Sequence, residues 1–142
     1  MHISNASAVW EKDLIHGKGI MKLGSGAFQG AYSYASRFEE GEGTNPEELI
    51  GAAHAGCFSM ALAHDLAQAG YAPKRIETSA KVTLDKVNGG FNITHIDLIT
   101  KAEVPGLQEK EFLKYAEDTK ENCPVSQALK NVDIKLQAEL VA

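Results

Sequence analysis

Between residues 49 and 63 only His54 and Ser59 are polar, and this run constrains the fold more than any other feature of the chain. A bilayer span needs about 20 consecutive apolar residues. The run is shorter than that, contains His54 and is built largely from Ala and Gly, so it belongs inside a protein. The residues before it carry the marks of a helix start. Asn45 can cap, Pro46 suits a first turn where its missing N–H costs nothing, and Glu47 and Glu48 favour the positive end of the helix dipole. The pattern predicts one helix from residue 46 to about residue 69, stopped by a left-handed Gly70. A helix apolar on every side is surrounded by protein, so a long buried central helix is expected at the middle of the fold or of an oligomer interface. Gly51, Ala52, Ala53, Ala55 and Gly56 would let another backbone come close around Cys57.

On either side of this helix the periodicity is that of strands. Residues 6–10, 17–23 and 31–38 alternate loosely and break at glycines, which predicts a three-stranded meander. After the helix, Ile76, Thr78, Ala80, Val82 and Leu84 share one face of a strand. Asn88-Gly89-Gly90 turns the chain, and residues 91–104 return as a long partner. A second helix over residues 108–121 places Phe112, Tyr115 and Ala116 at helical spacing until Cys123-Pro124 interrupts it. Residues 125–130 read as a further helical turn or two, and residues 132–141 as a last strand. The expected order is β-β-β-α-β-β-α-β, an α+β fold with antiparallel hairpins. The chain of 142 residues fits one domain, residues 1–142.

The net charge is −5, and the cations are scattered rather than gathered on a stripe, which argues against a nucleic-acid or anionic-membrane partner. The N-terminus has neither the basic start nor the apolar core of a signal peptide, so a cytoplasmic location is expected. In that reducing compartment the only two cysteines, Cys57 and Cys123, are better explained by catalysis, metal binding or burial than by a structural disulfide.

Cys57 lies mid-helix among apolar neighbours, where a thiol behaves as a small hydrophobe unless a cation or helix end stabilises its thiolate. Cys123, just before Pro124, occupies the cap of the following helical turn, where free N–H groups favour a thiolate. A lone loop thiol is the plain alternative. Paired, the two give a specific scheme: one thiolate attacks an O–O bond, becomes a sulfenic acid, and the other thiol condenses with it to a disulfide.

Arg37 is the only cation among Glu39, Glu40, Glu42, Glu47 and Glu48. It is either a solvated ion-pair partner or the group that stabilises the Cys57 thiolate, with Glu47 holding its fork. Ten residues of straight helix separate Glu47 from Cys57, a rise of about 15 Å, so a shared site needs a broken helix, a spanning side chain or a second subunit. A homodimer with its site at the interface meets that condition. His54, three residues before Cys57, and His64, seven after it, are more simply satisfied histidines than metal ligands.

The stretch Gly43-Thr44-Asn45-Pro46-Glu47-Glu48-Leu49-Ile50-Gly51-Ala52-Ala53-His54-Ala55-Gly56-Cys57-Phe58-Ser59-Met60 closely resembles the OsmC/Ohr family, in its osmotically inducible OsmC branch. Cys123-Pro124-Val125-Ser126 continues the match, with Trp10-Glu11, Gly17-Lys18-Gly19, Arg37-Phe38-Glu39 and Leu84-Asp85-Lys86-Val87, so the resemblance covers nearly the whole chain. It implies an intertwined homodimer in an OsmC-like fold, with two sites at the interface. It further implies a Cys-based peroxidase that reduces organic hydroperoxides, and hydrogen peroxide more weakly, in antioxidant and stress defence. By position, Cys57 corresponds to the peroxidatic thiol, Cys123 to the resolving thiol, and Arg37 and Glu47 to the arginine and glutamate of the site. The reductant implied is a lipoylated protein or small dithiol, and neither cofactor nor metal is called for. An alkyl chain would suit walls of Phe58, Met60 and the aromatic residues of the first strands, provided those side chains point inward.

Two other readings compete. A thiol hydrolase or transferase would use Cys57 as nucleophile with His54 as base, and would tolerate loss of Cys123. A non-catalytic stress-induced dimer would survive substitution of both cysteines.

Overall fold

Asn45 opens the long helix as its residue type predicts: its Oδ1 accepts the Glu48 N–H at 2.8 Å, while its Nδ2 donates to the Ser36 carbonyl at 2.9 Å. In the computed structural model, which describes residues 1–141, the chain divides into two compact units, residues 1–49 and 50–142.

In the first unit, β1 (Ala6–Glu11), β2 (Lys18–Leu23) and β3 (Gln29–Tyr32) form an antiparallel sheet in sequence order, the expected meander. The third strand ends earlier than residues 31–38 predicted, and α1 (Tyr34–Phe38) replaces its second half. The cause is local. Ser33 Oγ accepts the Ser36 N–H at 3.1 Å and Ser36 Oγ accepts the Ser33 N–H at 2.8 Å, a reciprocal capping box that starts a helical turn. Arg37 therefore sits on a short helix, not at a strand end.

The second unit holds the body of α2 (Pro46–Gln68), then β4 (Arg75–Val87), β5 (Gly90–Glu103), α3 (Glu109–Asn122), α4 (Pro124–Ala128) and β6 (Asp133–Val141). Asn88 and Gly89, at φ 51° and 83°, make the two-residue turn between β4 and β5 that the Asn-Gly pair predicts. β4 and β5 form the expected antiparallel hairpin, and β6 pairs parallel to β5 on its other side. With α3 and α4 between them, β5 and β6 are joined by a helical crossover, and such a connection returns the chain in the same direction. The rest of the α+β order stands: α4 overlaps the helical turns expected over residues 125–130, and α1 is added.

The core is the meeting of three apolar faces. Phe58, Leu62 and Leu66 of α2, Ile96, Leu98 and Ala102 of β5, and Phe112 and Ala116 of α3 are all fully buried. The spacing is four residues on the helices and an even number on the strand, as the periodicities require. Across this layer Ser59 Oγ donates to Thr78 Oγ1 at 2.8 Å, Thr78 and Thr100 hydroxyls meet at 2.9 Å, and Thr100 Oγ1 reaches the Glu77 carbonyl at 3.2 Å. The ladder satisfies the polar groups that an apolar core would otherwise strand.

Only one side of α2 is buried within the chain. Its buried side carries Gly51, His54, Phe58, Leu62 and Leu66, whereas Ala52, Ala53, Gly56 and Met60 are exposed, Met60 at 77%. Gly51 does permit a close approach: a Cβ there would lie 3.3 Å from the Val82 side chain of β4. Gly56 faces open space.

Candidate active site

Proline disfavours helical conformation in the residue before it, and Cys123 accordingly leaves α3 at φ −63°, ψ 144°. Its N–H still donates to the Thr119 carbonyl at 2.9 Å, and its own carbonyl accepts the Gln127 N–H at 3.0 Å, so one residue ends α3 and begins α4. The turn buries Cys123 to 2% exposure and brings its thiol against that of Cys57, which is half-buried on α2. Both thiols are free.

Burial pushes the Cys57 thiol up from its ordinary value, the Val125 N–H at the start of α4 pulls it down, and the neighbouring Cys123 thiol pushes it up again. The backbone donor that the sequence pattern assigned to Cys123 thus serves Cys57 instead, and the Cys123 side chain, though at the cap of α4, takes no cap hydrogen bond. Val125 carried no side-chain signal for this, since only its N–H is used and only the helical break at Pro124 aims it. The net upward direction leaves Cys57 in need of a cation to become a good nucleophile.

Cys123 Sγ lies 3.1 Å from Ser126 Oγ, and Ser126 Oγ lies 2.8 Å from His54 Nε2. Ser126 was not singled out in the sequence as a functional residue, although it stands three residues after Cys123, where a helical turn returns it to the thiol. His54 is fully buried, and its Nδ1 has no hydrogen-bond partner. Its Nε2 is engaged by Ser126 and not by Cys57, which removes the geometry that a His54-activated Cys57 hydrolase would require. Among the described residues no three His, Cys, Asp or Glu side chains gather in a way that would hold a metal.

Burial pushes the His54 imidazole down from its ordinary value and keeps it neutral. The unfolded chain protonates this histidine near pH 6.5 and so binds more protons than the folded one below that pH. Stability is therefore present above that value and lost as pH falls, by at most about 1.4 kcal/mol per pH unit. Urea unfolding at about pH 7.5 and about pH 5 is expected to show a loss that His54→Gln reduces.

In the first unit, Arg37 and Glu47 form a bidentate pair: Nε donates to Oε1 and Nη2 to Oε2, both at 2.9 Å. The Glu47 side chain is 9% exposed and that of Arg37 33%, so this is not the fully solvated pair that local context allowed. The guanidinium lies 5.3 Å from the centre of the Phe38 ring. Beside it Trp10, Lys12, Tyr32, Tyr34 and Phe38 help line a cavity of about 340 Å³. Aromatic residues of the first strand and of β3 do line a cavity, then, but Phe58 belongs to the core and Met60 to the exposed face of α2. Cys57 pairs with Cys123 in residues 50–142, and Arg37 pairs with Glu47 in residues 1–49.

The model of the family described as OsmC-like protein matches residues 39–137, and the chain belongs to that family. It is 49% identical over 134 residues to Peroxiredoxin OsmC of Escherichia coli, covering 94% of this chain and 93% of that protein. The Organic hydroperoxide resistance protein of Xanthomonas axonopodis is 33% identical over 98 residues, 68% of this chain and 67% of that one. Among solved structures, the organic hydroperoxide resistance protein OhrB of Bacillus subtilis superposes with a TM-score of 0.72 at 26% identity, covering 94% of this chain and 97% of that one.

Proposed function

We propose that the chain is a Cys-based hydroperoxide reductase in which Cys57 attacks the peroxide and Cys123 resolves the product. The observation that carries this reading is the apposition of the two free thiols, with Cys57 also within reach of the Val125 N–H. Its relatives named for peroxiredoxin activity and for organic hydroperoxide resistance support the substrate class. The Cys57 thiolate takes the terminal oxygen, the O–O bond breaks, and an alcohol leaves with a proton. Cys123 then displaces hydroxide from the sulfenic acid to close a disulfide, and a dithiol or lipoylated-protein reductant reopens it.

Arg37, held by both oxygens of Glu47, is the cation assigned to the Cys57 thiolate and to the departing oxygen. Glu47 and Cys57 lie ten residues apart on α2, a rise of about 15 Å. A homodimer in which one copy supplies the Arg37–Glu47 pair to the other's thiols satisfies that spacing. The exposed apolar side of α2, at Ala52, Ala53, Gly56 and Met60, suits such an interface. The reading treats residues 1–142 as one peroxidase domain acting in the cytoplasm on organic hydroperoxides in preference to hydrogen peroxide. No described helix is long and apolar enough to cross a membrane.

The test is consumption of cumene hydroperoxide and of hydrogen peroxide with a dithiol present. The protein is expected to consume both, cumene hydroperoxide faster. Failure to consume either under any thiol regime overturns the assignment.

A further inference from the structure

The proposed reaction gives His54 no part, yet it is a fully buried imidazole one helical turn before Cys57, connected through Ser126 to Cys123. The direction of that connection follows from its free end. A neutral imidazole carries one N–H, and the nitrogen without it is an acceptor. Were Nδ1 the protonated nitrogen, a buried N–H donor would stand without a partner, and orphaned donors are rarer in protein interiors than under-used acceptors. The proton therefore sits on Nε2. Nε2–H donates to Ser126 Oγ, which leaves the Ser126 hydroxyl proton free to donate to Cys123 Sγ.

We propose that His54 and Ser126 are positioning residues for disulfide closure: an ordered donor chain from His54 Nε2 through Ser126 Oγ stabilises the Cys123 thiolate in the form that attacks the Cys57 sulfenic acid. The step balances without a further reagent. The Cys123 thiol loses its proton to solvent, its sulfur attacks the Cys57 sulfur, the S–S bond forms as the S–O bond breaks, and the departing hydroxide recovers a proton as water. A thiolate is the attacking species in such exchange, so a donor aimed at its sulfur raises the reactive fraction at neutral pH.

The groups that face this chain are few. From α2 they are Cys57 and His54, and from α4 the Ser126 hydroxyl. From α3 Thr119 turns away, its hydroxyl donating to Asp65 at 2.8 Å. Ser126 also borders a cavity of about 200 Å³ with Lys120, Glu121, Lys130 and Asp133.

The inference rests on Cys123 being the resolving thiol, and a rapid-quench experiment on the whole protein separates the two. Reduced protein is mixed with one equivalent of cumene hydroperoxide, quenched over time and weighed intact. Gain of one oxygen reports the first step and loss of two hydrogens the second, so Cys57 oxidation is an internal reference in every trace. In Ser126→Ala and His54→Leu the ratio of second-step to first-step rate is expected to fall about tenfold near neutral pH. The gap should close as pH rises and the thiolate forms without help. His54→Gln, whose amide N–H can still donate to Ser126, is expected to recover most of the lost ratio. An unchanged ratio in Ser126→Ala, or a deficit equal at all pH values, overturns the donor chain while leaving the peroxidase intact. A parent that never loses two hydrogens overturns the resolving role of Cys123, and the chain with it.

Discussion

Cys57→Ser is expected to lower hydroperoxide consumption by at least about a thousandfold, with the far-ultraviolet circular dichroism of the parent retained. The size of the effect follows from the chemistry. The reaction requires a sulfur that can hold the transferred oxygen as a sulfenic acid, and a serine hydroxyl has no such state. The folding cost is small because Cys57 is only half-buried and the substitution exchanges one atom. Cys123→Ser behaves differently. It should reduce peroxide once per chain, gain an oxygen, and then stop or pass to higher oxidation states, since the closing thiol is missing. Retention of full turnover in Cys57→Ser would assign the activity elsewhere. Retention in Cys123→Ser with a dithiol present would mean that the external thiol resolves the sulfenic acid directly.

The second large effect is expected at Arg37. In Arg37→Ala the Glu47 carboxylate, 9% exposed, loses two charge-assisted hydrogen bonds at once. Loss of hydrogen bonds to a charged group costs about 1.5–3 kcal/mol, to be read from urea unfolding of variant and parent. The rate of Cys57 oxidation is expected to fall by about 10²–10³, the range seen when a preorganised electrostatic donor is removed. Arg37→Lys keeps the charge but loses the fork that engages both carboxylate oxygens, and should lie between. Glu47→Gln tests the support alone: the guanidinium stays while its charged anchor is gone. A rate loss in Arg37→Ala no larger than its stability loss predicts would confine Arg37 to holding the first unit together.

What could be read from residues alone was whatever depends on local pattern. The helix from Asn45 to the left-handed Gly70, at φ 92°, followed from cap, proline, acidic first turn and glycine. The β4–β5 hairpin followed from alternation and Asn-Gly. Ser33 and Ser36 were misread because a strand pattern and a capping box overlap there, and two hydrogen bonds decide for the helix. The parallel placement of β6 was missed because direction depends on what the crossover packs against, which no window of sequence records.

Of the proposed site, residue types pointed to the two thiols and offered Arg37 with Glu47 as candidates, since these announce themselves by chemistry. The Val125 N–H and the Ser126–His54 connection did not, because a backbone donor has no residue signature and a serine is common. For α2 the sequence left fold centre and oligomer interface both open. Alanine and glycine read as apolar whether the space beyond them is core, solvent or another subunit.

The most direct test of the central claim is a thiol count with peptide mapping after a single equivalent of cumene hydroperoxide is added to the fully reduced protein. The account predicts that both thiols disappear for each peroxide consumed and that one cross-linked peptide pair contains Cys57 and Cys123. A protein that consumes the peroxide while Cys123 remains free, or that leaves both thiols titratable, would contradict it.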